Sequence, residues 1–168
     1  ESHTHRHWLK LSNYLIEQMI NLPYALTHRD FHSRNFMHYQ DQMYWIDYQD
    51  MFRAPITYDA VSLTYDCYHI WSPELQKDWL TYYWHKIPAA QKMDLDAWLH
   101  ACRVTSIQRH FKALGIFARL LHLYQRNSHL RWIMPTLYQL RRNLSYDDPI
   151  INTHLAPILA DIEKRCIH

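Results

Sequence analysis

The segment LTHRDFHSRNFMHYQDQMYWIDYQD, residues 26–50, decides how the chain is read. It sets Asp30 between His28 and His32, places Asn35 five positions after that Asp, and reaches a second carboxylate, Asp47, after two short apolar runs. A packed core needs no such order of carboxylate, amide and carboxylate. Phosphoryl transfer does: one carboxylate accepts the proton of the attacking hydroxyl, and oxygen ligands hold Mg²⁺ across the phosphates. Mg²⁺ is a hard cation that takes carboxylate and amide oxygens while keeping some of its waters. The four residues between Asp30 and Asn35 let a loop turn both side chains into one cleft. The twelve-residue step from Asn35 to Asp47 fits two short strands, NFMHY and MYWID, joined by a tight turn at Gln40-Asp41-Gln42.

Outward from this segment the chain reads as helical on both sides. Upstream, HWLKLSNYLIEQMINL carries Leu11, Leu15, Met19 and Leu22 at helical recurrence. Pro23 ends that helix, and YALTH follows as a strand. Downstream of the hairpin everything is expected to be helical. TYDAVSLTYDCYHI starts with Thr57 as a side-chain cap and Asp59 in the first turn, where negative charge suits the helix dipole. SPELQKDWLTYYWHKI has a Ser cap followed by Pro. The longest helix runs from about Leu95 to Gln125, with a core stripe of Val104, Ile107, Phe111, Leu114, Ala118 and Leu121. Two more helices, near 129–144 and 151–166, complete an α+β, mainly helical chain: a small β-hairpin module followed by a helical bundle, one domain over 1–168.

The totals narrow the function classes. With 48% apolar and 15% aromatic residues, 168 residues can bury a core without disulfides. Lys and Arg (18) nearly balance Asp and Glu (16), which leaves no electrostatic footprint for nucleic acid or an acidic membrane. Cys67, Cys102 and Cys166 are odd in number, far apart and outside any C-x-x-C, so a reducing cytoplasm is expected. No apolar run reaches the 18 or so residues of a membrane span, and ESHTHRHW does not read as a signal peptide. His3, His5 and His7 in that stretch read as a solvated end. The single glycine, Gly115, excludes every Gly-rich phosphate loop from the chain, so nucleotide phosphates must be held by metal, by side chains or by a part outside it.

The motifs themselves carry a resemblance. HRDFHSRN matches the H-R-D-x-x-x-x-N catalytic loop of the kinase fold, and WIDYQD stands where kinases carry the Asp of D-F-G. With His inside the loop, an I-D-Y metal Asp and APITYDAVSLTYDCY downstream, the chain resembles the aminoglycoside phosphotransferase and choline kinase family. Within that family, these stretches together with QRHFKALGIFARL are most similar to bacterial anomeric kinases of cell-wall amino sugars. The resemblance implies ATP- and Mg²⁺-dependent phosphorylation of the C1 hydroxyl of N-acetylmuramate or N-acetylglucosamine, in peptidoglycan recycling. It implies Asp30 as catalytic base, His28 as a brace of the loop, Asn35 and Asp47 as Mg²⁺ and nucleotide contacts, and Asp59 as a buried anchor of the loop backbone. Arg29, His32, Arg34 and Gln49 fall where substrate or loop contacts are made.

The family also has a β-rich N-terminal lobe that covers the phosphates, and only some 25 residues precede the loop here. The expectation is therefore a C-terminal lobe alone, inactive in isolation, whose exposed interlobe face invites the missing lobe or self-association. Gln49 stands where D-F-G carries its glycine. Three alternatives stay open at this stage: a non-catalytic interaction module, a kinase for another alcohol such as choline or an aminoglycoside, and a polar loop whose side chains merely cap backbone groups. A zinc site on His28, Asp30 and His32 is disfavoured, because three ligands within five residues do not readily surround one ion.

Overall fold

Pro23 separates the first helix from the first strand, as its fixed φ and missing N–H require. In this computed structural model, which describes residues 3–166, α1 spans His3–Ile20 and β1 spans Tyr24–Thr27. The side chain of Cys166 lies outside the described set. The remaining elements are β2 (Phe36–Tyr39), β3 (Gln42–Trp45), β4 (Phe52–Pro55), α2 (Thr57–Thr64), α3 (Pro73–Lys86), α4 (Leu95–Tyr124), α5 (Ile133–Arg142) and α6 (Pro149–Cys166). The chain is α+β and mainly helical, as the sequence implied. The described residues divide into two compact units, one of segments 3–18 and 107–166, the other of residues 19–106.

The 19–106 unit holds both two-stranded sheets. β2 and β3 form the expected hairpin, in register Phe36↔Trp45 and Tyr39↔Gln42. Its turn is tight because Gln40 (φ 48°) and Asp41 (φ 57°) both adopt left-handed backbone, the conformation that matches strand twist. β1 pairs antiparallel with β4, from Tyr24↔Pro55 to Thr27↔Phe52. This pairing corrects the expectation of helix throughout after the hairpin. β4 is four residues long and buries only its last two, too short for alternation to register as a period.

Below the sheets, Ile56, Val61, Leu80, Ile87, Trp98 and Cys102 make a continuous core. The Trp98 indole N–H donates to the Leu80 carbonyl at 2.9 Å, so the largest buried ring leaves no orphan donor. Burial pushes the Cys102 thiol well above its usual range, which makes it a packing residue and not a nucleophile. At α3 the sequence reading holds: Ser72 Oγ accepts from the Leu75 N–H at 3.2 Å and Pro73 opens the helix. At α2 it does not. Ile56 occupies the cap position, and the Thr57 hydroxyl is buried and shared with Thr105 at 2.7 Å. A hydroxyl with a buried partner on another helix is not available to cap its own.

In the other unit, Leu11, Leu15, Ile107, Phe117, Leu137, Leu140, Ile151 and Leu155 are buried. Asp148 caps α6 through the amides of Ile150 and Ile151 and accepts from the Tyr14 hydroxyl at 3.0 Å. The N-terminal histidines are ordered in a helix, with His3 and His5 exposed to solvent and His7 half-buried. They lie in α1, where the His7 Nδ1 stands 2.9 Å from His154 Nδ1 and the His3 and His7 rings meet edge to face. Desolvation, and next the charge of His3, lowers His7, while desolvation and then His7 lower His154, so the pair stays neutral.

The α4 stripe is half right. Val104 and Ile107 are buried, Phe111 and Leu114 are half-buried, and Ala118 and Leu121 are exposed. A 3-4-3-4 spacing averages 3.5 residues, and a straight helix drifts about 20° per heptad from it, which turns the far end of the stripe away from the core. His110 and Phe117 take the buried places instead.

Gly115 lies in that exposed part of α4, with nothing within 4 Å of an added Cβ and no left-handed backbone angle. Gly115→Ala is expected to stabilise the protein by about 0.5–1 kcal/mol, by raising helix propensity and restricting the unfolded chain. A higher urea midpoint at unchanged slope would show it; a lower midpoint would mean the glycine has a role that its surroundings do not reveal.

Candidate active site

The loop of residues 28–35 is held by carboxylates from the helix that follows the sheets. Asp59, in the first turn of α2, accepts from the His28 amide (2.6 Å) with one oxygen and from the Arg29 amide (3.1 Å) with the other. Asp66, just past the C-terminal end of α2 and only 3% exposed, accepts from the Ser33 amide and hydroxyl and from the Tyr68 amide, at 3.0, 2.6 and 2.8 Å. Asp59 from the first turn of α2 and Asp66 from the segment beyond its end thus hold the loop at two places, residues 28–29 and residue 33. Hydrogen bonds to ionised carboxylates are roughly twice as strong as neutral ones, which suits a loop with little apolar burial.

Between these anchors a chain of hydrogen bonds links the residues singled out from the sequence. His28 is 3% exposed, and its Nε2 donates to the Ile46 carbonyl at 3.0 Å, which fixes the tautomer with the proton on Nε2. The Ile46 amide in turn donates to the Asn35 carbonyl at 3.1 Å. Asp47 is therefore covalently next to a residue that is bonded on one side to His28 and on the other to Asn35. The Asn35 Nδ2 donates to the Asp30 carbonyl at 2.8 Å, and this commits the amide nitrogen inward and leaves the amide oxygen as the free end. The Gln49 Nε2 donates to Asp47 Oδ1 at 2.6 Å.

Two residues along this hydrogen-bonded network have left-handed backbone angles, Arg29 at φ 74° and Asp47 at φ 68°. Each costs of order 1–2 kcal/mol and persists only because its surroundings enforce it. Arg29 directly precedes Asp30 and is enforced by Asp59. Asp47 is itself the second carboxylate. The strain in this unit outside the hairpin turn thus sits beside the two acids.

The four residues read as substrate or loop contacts separate into three environments. The Arg29 guanidinium lies over the Phe52 ring at 5.0 Å, on the β4 side. Gln49 orients Asp47. His32 meets the Tyr68 ring edge-on at 5.4 Å, and the Arg34 guanidinium covers the same ring at 4.7 Å. Asp66 and Tyr68 were not among the sequence-derived site residues. Neither carries a signal in the sequence, since both follow the end of α2 and meet the loop only through the turn of the chain. Near Asp59, the Tyr83 hydroxyl is pushed up, mainly by burial and next by the Asp59 charge, so it stays neutral.

The donor set fits Mg²⁺. Asn35 offers an amide oxygen and Asp47 a carboxylate, both hard, and such a cation takes its remaining ligands from water and substrate phosphates. Among the described residues no group of three or more His, Cys, Asp or Glu gathers to hold a metal by itself. His28 and His32 are engaged with Ile46 and Tyr68 respectively.

Residues 2–95, more than half the chain, match the family model described as phosphotransferase enzyme family. Three curated proteins, each called N-acetylmuramate/N-acetylglucosamine kinase, are similar to it. The one from Pseudomonas putida is 34% identical over 118 residues, 68% of this chain and 35% of that protein. The one from Pseudomonas aeruginosa is 31% identical, covering 73% of this chain and 37% of its own length. The one from Neisseria meningitidis serogroup B is 33% identical, covering 80% and 41%. The matches thus take in about two fifths of the length of these relatives.

Proposed function

The chain belongs to the phosphotransferase enzyme family, and on that premise we propose that it is the catalytic-loop lobe of a sugar kinase. The complete protein transfers the γ-phosphoryl group of ATP to the anomeric hydroxyl of N-acetylmuramate or N-acetylglucosamine, a step of peptidoglycan recycling in the cytoplasm. The observation that carries the reading is the bond from Asn35 Nδ2 to the Asp30 carbonyl inside a loop clamped by Asp59. It ties the backbone of Asp30, the proton acceptor in this reading, to the side chain of Asn35, the metal-type oxygen in this reading, within one short segment.

In this reading Asp30 accepts the proton of the C1 hydroxyl as it attacks, and His28 keeps the loop seated by bonding to Ile46. Asn35 and Asp47 would hold Mg²⁺ against the nucleotide phosphates, where the cation supplies charge neutralisation. Positioning and preorganised charge then account for most of the rate. The isolated lobe is expected to be inactive, since no Gly-rich loop is available in it to cover the phosphates.

The test is ATP-dependent phosphorylation of both sugars by the complete protein, scored by ADP release and by the acid lability that marks an anomeric phosphate. A C6 phosphate, or turnover of choline or an aminoglycoside with neither sugar used, would replace this reading. A finer check concerns Gln49. As the residue that orients Asp47, its replacement in Gln49→Ala is expected to raise the Mg²⁺ concentration for half-maximal rate about 10-fold, with the rate recovered at saturating Mg²⁺. An unchanged Mg²⁺ titration would remove Asp47 from the metal site.

The hairpin leaves Met37, Tyr39, Met43, Trp45 and, just beyond it, Tyr48 exposed. Met37 and Tyr39 stand on one face of the hairpin and Met43 and Trp45 on the other. We assign this exposed apolar surface to contact with the lobe that precedes the loop in the complete protein; without that cover it favours self-association. The interaction-module reading draws on the same surface and is separated by nucleotide titration.

A further inference from the structure

The two arginines of HRDFHSRN are not equivalent. Arg29 is folded over Phe52 behind the clamp of Asp59, whereas Arg34 is exposed, one residue before Asn35, and rests on the Tyr68 ring. Tyr68 is fixed independently of Arg34: its amide donates to Asp66 Oδ1, while Ser33, next to Arg34, donates twice to Oδ2 of the same carboxylate. One buried acid therefore ties the backbone that carries Tyr68 to the residue next to Arg34. His32 stands edge-on to that ring and tightens the arrangement.

Asp66 already accepts three donors, and among the described residues Arg34 forms no ion pair. The Arg34 guanidinium stands over the Tyr68 ring and also engages its hydroxyl; its remaining N–H groups are left for a planar acceptor, and pairing with a carboxylate is what they match. A preorganised cation with no ion-pair partner among the described residues, four residues from the proposed base, has one evident use, a negatively charged group on the acceptor substrate. N-acetylmuramate is N-acetylglucosamine bearing a lactyl ether, and the lactyl carboxylate is the one feature that is charged in the first sugar and absent from the second.

Resting on the sugar-kinase reading, we propose that Arg34, seated on Tyr68, recognises the carboxylate of an acidic amino sugar and sets preference for it over the neutral sugar. Tyr68 is then a positioning residue, and Arg34 a substrate contact.

The test measures kcat and KM of the complete protein on N-acetylmuramate and N-acetylglucosamine at saturating ATP and Mg²⁺. Arg34→Gln is expected to lower the acid-to-neutral ratio of kcat/KM by about 10- to 100-fold, chiefly through KM for the acid sugar. Arg34→Lys keeps the charge but loses the fork, and should fall between Gln and wild type. Tyr68→Leu should move the ratio in the same direction by less. A ratio unchanged in Arg34→Gln, or equal losses on both sugars, overturns the assignment while leaving the kinase reading intact. Failure of the wild type to use either sugar sinks the kinase reading and this inference with it.

Discussion

Asp30→Asn in the complete protein is expected to lower kcat by about 10²- to 10⁴-fold, the usual contribution of a positioned general base, while nucleotide affinity stays within a fewfold of wild type. The substitution is nearly isosteric, and two bonds to the backbone at position 30 survive it. The Asp30 carbonyl accepts from the Asn35 side chain at 2.8 Å and from the His32 amide at 3.0 Å, and neither bond involves the carboxylate. These bonds are expected to keep the loop on its course, so that Asn35 and Asp47 keep their oxygens while the proton acceptor is removed. Steady-state ADP release and calorimetric titration with nucleotide separate the two effects. Turnover within tenfold of wild type would move the base elsewhere; loss of nucleotide binding would mean that Asp30 serves the phosphates and not the acceptor hydroxyl.

The residues that dictate this prediction were legible because they lie close together in sequence and their chemistry is explicit in residue type. Asp30, Asn35 and His28 share one eight-residue loop, and Asp47 is brought back by a hairpin whose two strands and turn the apolar pattern marks. Asp59 was legible through its place in the first turn of a helix. Asp66 was harder. It follows α2 after the helical pattern has ended, and its partners at Ser33 and Tyr68 are a spatial accident of where the chain turns. β4 escaped because Phe52 and Arg53 face solvent while Ala54 and Pro55 face inward, a pattern too brief to separate from a loop. The left-handed angle at Arg29 was unreadable, since Arg does not favour it and only tertiary contacts impose it; Asp47 belongs to a residue type that tolerates that region, but nothing beside it marks the turn. The lone glycine, where sequence reasoning looks first for such an angle, stands in an ordinary helical turn.

The clamp at Asp59 predicts the larger structural effect. Asp59→Ala removes two charge-assisted bonds at once and leaves the amides of His28 and Arg29, one of them on a buried residue, without an acceptor. Each such bond contributes roughly 1.5–3 kcal/mol, and part of the loss returns because Arg29 can relax from its left-handed angle. A net destabilisation of about 3 kcal/mol is expected in urea unfolding. That relaxation is what should reach the chemistry: changing φ at Arg29 re-aims Asp30, so kcat should drop by more than about 10²-fold even in the folded fraction. Asp59→Asn retains one acceptor oxygen and should lose roughly half as much stability. Hydrogen exchange reports the mechanism directly, with the His28 and Arg29 amides losing protection in the Ala variant before the amides of α3 do. If those two amides stay protected and the urea midpoint does not move, the loop is held by something other than this carboxylate, and the strain beside Asp30 needs another explanation.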